Sequence, residues 1–90
     1  MPYVKFTSHL RRFFPDLGEG DVAGRTVAEV VEALDEHYPG LAGYLVDERG
    51  ALRRHVNIFV GNQLIRDREQ LQDPVAADDK VFIFQALSGG

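Results

Sequence analysis

The 90-residue sequence contains no cysteine. This absence excludes a disulfide framework, a thiol nucleophile, and any zinc or iron–sulfur site with cysteine ligands. The sequence also has no run of about 18 apolar residues, so it predicts no membrane-spanning helix. The segment that follows Met1 lacks the charged and apolar regions of a secretory signal peptide. We therefore expect a cytoplasmic protein.

Positive charge is scarce as well. Ten Lys and Arg residues stand against 14 Asp and Glu residues, which gives a net charge of −4 at neutral pH. Nucleic-acid-binding proteins obtain much of their affinity from a basic surface. We therefore expect neither a nucleic acid nor a membrane as a partner.

Patterns for metal and cofactor binding are missing too. His9, His37 and His55 are scattered, and no two of them have the four-residue spacing that brings side chains together on a helix. No glycine-rich loop precedes a helix in the manner that binds phosphate. We expect this chain to bind no metal and no cofactor.

The clearest element present is a helix that begins after Thr26. Thr26 and Glu29 form a capping-box pattern, in which the Thr hydroxyl and the Glu carboxylate each accept a backbone amide. Apolar residues then follow at helical spacing, and Pro39-Gly40 ends the helix. Leu41–Leu45 has the spacing for one further helical turn.

Strand patterns lie on both sides of this helix. They cover Tyr3–Thr7, a short segment at residues 20–23, Leu52–Val60, residues 63–66 and Val81–Ala86. Gly61-Asn62 suits a type II′ turn between two of these strands. Val81–Ala86 is apolar on both faces, which is typical of a central strand.

This order of elements predicts an α+β fold, with a mixed sheet of four to five strands packed on one main helix. The first strand can pair in parallel with the last, because the connection between them is long. We place the folded domain at residues 1–86 and a flexible tail at residues 87–90. The residues expected to be buried together are Val4, Phe6, Val27, Val30, Val31, Leu34, Ile58, Val60, Leu64, Val81 and Ile83.

The element order and the Gly-Gly ending resemble the ubiquitin-like β-grasp fold and, within it, the MoaD/ThiS family of sulfur carriers. Thr26–Val30 is similar to the helix start of that family, and Tyr38–Leu41 to its helix exit. Val56–Gly61 is similar to the third strand and its hairpin. Asp79–Ile83 followed by Gly89-Gly90 resembles the closing signature. Two features depart from the pattern: Gln85 stands where many members have proline, and the hairpin reads Gly61-Asn62 where Asn-Gly is commoner.

The resemblance implies a function for the tail. A separate ATP- and Mg-dependent enzyme would adenylate the carboxylate of Gly90, and sulfide or a persulfide would replace AMP to leave a thiocarboxylate. A downstream enzyme would then accept the sulfur. Gly89 and Gly90 lack Cβ atoms, which suits passage through a narrow channel. On this interpretation the chain is a substrate and not an enzyme.

An aromatic surface is the expected docking site for these partners. If Val81 and Ile83 face the helix, strand alternation sends Phe82 and Phe84 to the other side of the sheet, and the same parity turns Phe59 outwards. The family topology, in which the third strand neighbours the last, implies that these three rings form one patch near the root of the tail. The residues expected to bind partners are Phe59, Phe82, Phe84, Leu87 and Ser88.

Several alternatives stay open at this point. Gly90 of a protein modifier would instead be conjugated to target lysines, whereas a β-grasp binding module would function without its Gly-Gly ending. The sulfur acceptor could belong to molybdopterin, cysteine or thiamine thiazole synthesis or to tRNA thiolation, although the long connection at 45–54 does not favour the thiazole carriers. A local basic patch has two possible roles: its side chains are solvated, or they dock on an acidic partner surface. The patch consists of Arg49, Arg53, Arg54 and His55, later joined in the sequence by Arg66 and Arg68.

Overall fold

The computed structural model describes residues 1–85, with the side chains of Ser8 and His9 excepted. Within that range the elements are β1 (Tyr3–Phe6), a 3₁₀ helix (Ser8–Arg12), β2 (Gly20–Asp21), α1 (Val27–His37), α2 (Leu41–Leu45), β3 (Val56–Val60), β4 (Gln63–Leu64) and β5 (Lys80–Gln85). The proposed tail at 87–90 lies outside the described residues.

The sheet has β5 at its centre. Its strand order is β2-β1-β5-β3-β4, with β1 parallel to β5 and every other pair antiparallel. This arrangement confirms the predicted α+β fold and the parallel pairing of the first and last strands. β3 is shorter than its sequence pattern, because a turn closed by a hydrogen bond from the Val56 amide to the Arg53 carbonyl (3.0 Å) precedes it.

One face of the sheet packs on α1. Val4, Ile58, Val81 and Ile83 on the strands are fully buried. The helix contributes Val27, Val30, Val31 and Leu34, all of them buried, as their spacing predicts. Leu71 and Val75 from the irregular segment before β5 close one side of this core.

Long-range contacts complete the start of α1. The Thr26 hydroxyl accepts the Glu29 amide at 3.2 Å, as the capping-box pattern predicts. The Glu29 carboxylate, however, accepts the amide of Arg25 (2.9 Å), one residue before the position expected. The next two helix amides donate to carbonyls of the segment before β5: Val27 to Asp73 (3.1 Å) and Ala28 to Leu71 (2.8 Å).

One predicted core residue is wrong. Leu64 is 48% exposed, and Ile65, which is 5% exposed, is buried in its place. The hairpin register explains the difference, since Leu64 lies opposite Phe59 on the outer face of the sheet. Phe6 and Val60 are half-buried at the margin of the core. Gly61 has a positive φ (+62) and Asn62 does not, which fits the predicted type II′ turn.

Candidate functional site

The end of β5 is held from both sides. Gln85 lies opposite Val56 in the pairing with β3. On the other side, the Gln85 amide donates to the Thr7 hydroxyl at 3.2 Å. Thr7 itself donates its amide to the Ile83 carbonyl at 3.1 Å. The last described residue, Gln85, is therefore held at a fixed position in the sheet.

Four of the predicted site residues follow this point. Leu87, Ser88, Gly89 and Gly90 lie outside the described residues. The site that the structure describes is therefore the surface around the end of β5.

The three predicted aromatic residues lie together on the outer face of the sheet. Phe59 and Phe82 are direct partners in the β3–β5 register. The rings of Phe82 and Phe84 stack with centroids 5.2 Å apart, and Phe59 meets Phe84 edge-on at 5.7 Å. Phe84, which is 38% exposed, is the most exposed of the three, and the other two are half-buried.

Two further residues extend this cluster, and the sequence reasoning missed both. Lys5 is the β1 partner of Phe82, and its Nζ lies 5.7 Å from the centre of that ring. Leu64 continues the row beyond Phe59. The signal for Leu64 was present, because a two-residue turn pairs 60 with 63 and hence 59 with 64. We call Lys5, Phe59, Leu64, Phe82 and Phe84 the outer-face patch.

The irregular segment before β5 turns towards the helix. Its Leu71 and Asp73 carbonyls accept amides of α1, and its Leu71 and Val75 side chains are buried in the core. This segment packs against α1, and Phe84, on the outer face of the sheet, is exposed.

The arginines predicted to form one basic patch have different roles. Arg68 donates to the carbonyls of Arg53 (2.8 Å) and Val56 (2.9 Å) and to Oδ1 of Asn57 (3.0 Å). These bonds satisfy the edge of β3 where β4 is too short to reach it. Arg49 pairs with the carboxylate of Asp47 at 3.5 Å, whereas the side chains of Arg54 and Arg66 are exposed.

The loop that carries Arg68 is fixed by Asp67. The pKa of Asp67 is lowered, chiefly because the Gln70 amide donates to its carboxylate, and this effect outweighs the opposing effect of desolvation. The Gln72 and Glu69 amides add to the lowering. An ionised Asp67 therefore helps to hold Arg68 against β3.

The structure also bears on metal binding and on membrane insertion. No group of three or more His, Asp or Glu side chains within the described range is placed to hold a metal ion. In the same part of the chain, no helix has the length and the apolar character needed to cross a membrane.

Comparison with known proteins identifies the family. The model of the family described as the ThiS family matches residues 4–90, which is nearly the whole chain. The chain belongs to the ThiS family. This membership confirms the resemblance seen in the sequence: the protein is a ubiquitin-like sulfur carrier, a substrate of an activating enzyme and not itself a catalyst.

Curated relatives include carriers and modifiers. Sulfur carrier protein CysO of Mycobacterium tuberculosis is 34% identical over 70 residues, which cover 76% of this chain and 75% of that protein. Small archaeal modifier protein 3 of Haloferax volcanii is 29% identical over 65 residues, which cover 72% of this chain and 70% of that protein.

Solved structures show the same fold. The structure of the BexX/CysO complex of Amycolatopsis orientalis contains a chain with TM-score 0.85 and 26% identity, with full coverage of both chains. CysO of Mycobacterium tuberculosis has TM-score 0.84 and 28% identity, covering 97% of this chain and all of that one. SAMP1 of Haloferax volcanii has TM-score 0.75 and 26% identity, and the match covers 98% of this chain and 97% of that one.

Proposed function

We propose that the carboxylate of Gly90 is the group that carries sulfur. The family match runs through residue 90, and this observation supports the proposal most directly. An α-carboxyl group has an ordinary pKa of about 3.3–3.7, so it is ionised near neutral pH and is a poor electrophile. It therefore needs activation by a partner enzyme.

The proposed activation uses ATP and Mg bound by that partner. The carboxylate attacks the α-phosphorus of ATP and releases pyrophosphate, which leaves an acyl-adenylate on Gly90. Sulfide then displaces AMP and leaves a C-terminal thiocarboxylate. Gly89 and Gly90 suit this chemistry, because a backbone without Cβ atoms can enter a narrow channel. We propose that the reaction takes place in the cytoplasm, where ATP is available.

The outer-face patch is the proposed docking surface for the partners. Aromatic anchors carry much of the binding energy at many interfaces. Phe84 is accessible and lies one residue before Gln85, the last described position of β5. We propose that the activating enzyme and the sulfur-accepting enzyme bind this patch in turn, with Leu87 and Ser88 leading the tail into each active site. The known BexX/CysO complex shows that a structural relative does assemble with another protein.

Cysteine synthesis is the acceptor pathway that we favour. The carriers found by sequence comparison are CysO proteins, at 34% identity. Molybdopterin synthesis and tRNA thiolation are the other candidates. Incubating the thiocarboxylate form with each purified acceptor enzyme and following loss of the sulfur distinguishes them.

Protein modification is the second candidate function, because small archaeal modifier proteins are also relatives. In that case Gly90 would form an isopeptide bond with a target lysine. Residues 81–90 contain no Lys or Arg, so trypsin would leave all of residues 81–90 on the modified lysine. Mass spectrometry of host proteins would find this remnant on many targets if modification is the main function, and would not find it if the chain only carries sulfur.

ATP–pyrophosphate exchange with the host adenylating enzyme tests the activation step. Deleting Gly90 is expected to abolish exchange, and adding one alanine after Gly90 is expected to do the same. Glu32→Ala on the exposed face of α1 is the control, with exchange unchanged. Exchange that persists without Gly90 would contradict the proposed mechanism.

A further inference from the structure

The end of β5 lies between two segments that carry positive charge. On one side, the chain continues from β1 through Thr7, which bonds to Gln85, into the 3₁₀ helix. On the other side, residues 51–55 lead into Val56, the β3 partner of Gln85. Residues 7–15 and 51–57 together contain four of the ten Lys and Arg residues and none of the 14 Asp and Glu residues. These four are Arg11, Arg12, Arg53 and Arg54.

The opposite end of the sheet is acidic. β5 begins directly after Asp78 and Asp79, and Asp21 of β2 lies opposite Tyr3. The Tyr3 hydroxyl donates to the carboxylate of Glu19 at 3.1 Å. Acidic residues therefore lie where β5 begins, whereas the two segments that flank its finish carry the four arginines. One carboxylate, that of Asp47, lines the same surface depression as Arg53 and Arg54, and it is paired with Arg49.

The arginines at this end are accessible. Arg11, Arg12, Arg53 and Arg54 are all exposed. Among the side chains that the structure describes, the ion pair between Arg49 and Asp47 is the one salt bridge, and it involves none of the four. Their charge is therefore available to a partner.

An exposed aromatic pair lies beside these arginines. Phe13 directly follows Arg12 and is 53% exposed, and its ring stacks on Tyr44 with centroids 4.7 Å apart. Arg53 donates from Nε to the carbonyl of Gly43 at 3.0 Å, which holds it next to Tyr44. Aromatic residues and arginine are the types enriched at protein interfaces.

We propose that Arg11, Arg12, Phe13, Tyr44, Arg53 and Arg54 form a second docking surface, the tail-end collar, which binds carboxylates around the tail channel of the activating enzyme. Arginine is suited to this role because its planar guanidinium binds a carboxylate through two parallel hydrogen bonds. The identity of the partner rests on the function proposed above.

The uneven charge gives the collar a kinetic role. An acidic channel entrance attracts the collar and repels the opposite end, so the carrier approaches with the end of β5 in front. A nucleic acid or an anionic membrane is a poorer partner, because the protein as a whole is negative and most of its surface would be repelled.

Association kinetics with the host adenylating enzyme test the collar. The double variant Arg12→Gln/Arg54→Gln is expected to associate about 10-fold more slowly at low salt. The difference should disappear near 1 M salt, where the screening length is about 3 Å. The matched control is Arg25→Gln/Lys80→Gln, which removes two exposed cations near the acidic end and should stay within about 2-fold of the wild type. The maximal rate of pyrophosphate exchange should be unchanged in the Arg25→Gln/Lys80→Gln control.

The possible results separate the collar from the proposed function. Equal slowing by the two double variants would overturn the collar, since only net charge would then matter. An unchanged association rate in both variants would overturn it as well. Collar-dependent binding of a tRNA transcript without the enzyme would overturn the choice of a protein partner. If the wild type supports exchange while the collar variant associates as fast as the wild type at low salt, the collar alone fails. If the wild type supports none, the proposed function fails and the collar loses its partner.

Discussion

The backbone amide of Gln85 donates a hydrogen bond to the hydroxyl of Thr7, with 3.2 Å between N and Oγ1. β1 ends at Phe6, so the Thr7 side chain takes the place of the next backbone acceptor in the parallel pairing. The Thr7 hydroxyl, together with the pairing to β3, therefore fixes the position of the last described residue of β5.

Replacing Thr7 tests this contact. Thr7→Val keeps the shape of the side chain and removes the acceptor, so we expect faster hydrogen exchange at the Gln85 amide and a loss of about 1 kcal/mol in unfolding free energy. Thr7→Ser keeps the hydroxyl and should preserve most of the protection. NMR-detected exchange decides the question, and equal Gln85 protection in Thr7→Val and the wild type would show that the bond is unimportant.

The core prediction concerns Leu34, whose side chain is 1% exposed at the centre of the helix face. Leu34→Ala should lower the free energy of unfolding by about 2–5 kcal/mol, because it leaves a cavity between α1 and the sheet. Glu32→Ala on the exposed face should change stability by no more than about 0.5 kcal/mol. Urea denaturation measures both, and a Leu34→Ala loss below about 1 kcal/mol would mean that the helix packs differently.

The outer-face patch predicts the effect of removing one ring. Phe84→Ala should leave the fold largely intact, because this side chain is exposed, and should weaken binding to both partner enzymes by about 2 kcal/mol or more. Phe84→Leu keeps an apolar contact and should lose less. Titration calorimetry measures the affinities, with circular dichroism as the folding control. Unchanged affinity for both enzymes would refute the patch, whereas unfolding would assign Phe84 to the core.

The ionisation of Asp67 should contribute to the pH dependence of the unfolding free energy. Its pKa is lowered in the folded protein, chiefly by the hydrogen bond from the Gln70 amide. Its stabilising contribution is therefore complete above the ordinary Asp pKa of about 3.9 and is lost as the pH falls through the lowered value. Asp67→Asn should be less stable than the wild type at neutral pH, and the difference should shrink in acid.

Urea denaturation of the wild type and of Asp67→Asn, at neutral pH and in acid, tests whether the charge of Asp67 stabilises the loop. Asp78→Asn, in the exposed turn before β5, is the control and should differ little from the wild type at either pH. A destabilisation by Asp67→Asn that is equal at both values would show that the loop does not depend on the charge of Asp67.

The sequence predicted the features that depend on local patterns. The capping residues placed the start of α1, and the spacing of its valines and leucines identified the buried face. Strand alternation predicted that Phe59, Phe82 and Phe84 share one face, where their rings are in contact.

Features that depend on distant contacts were missed. Arg68 belongs to a charged run in the sequence, yet its guanidinium donates to the carbonyl of Arg53, just before β3, and to that of Val56, at the start of β3. Both acceptors lie more than ten residues away in the chain. Tyr44 pairs with Phe13 across two elements whose packing no local pattern specifies. Leu64 was misplaced for a different reason: it was predicted to be buried, whereas the hairpin register places it opposite Phe59 on the outer face.

The intact mass of the protein purified from its native host tests the role of Gly90 most directly. We expect a species heavier than the unmodified chain by the replacement of one oxygen atom with sulfur, with fragmentation that assigns the change to Gly90. That species should disappear when the host adenylating enzyme is deleted. A chain that carries only the unmodified carboxylate, under conditions in which the adenylating enzyme is present and active, would contradict the assignment of Gly90 as the sulfur-carrying residue.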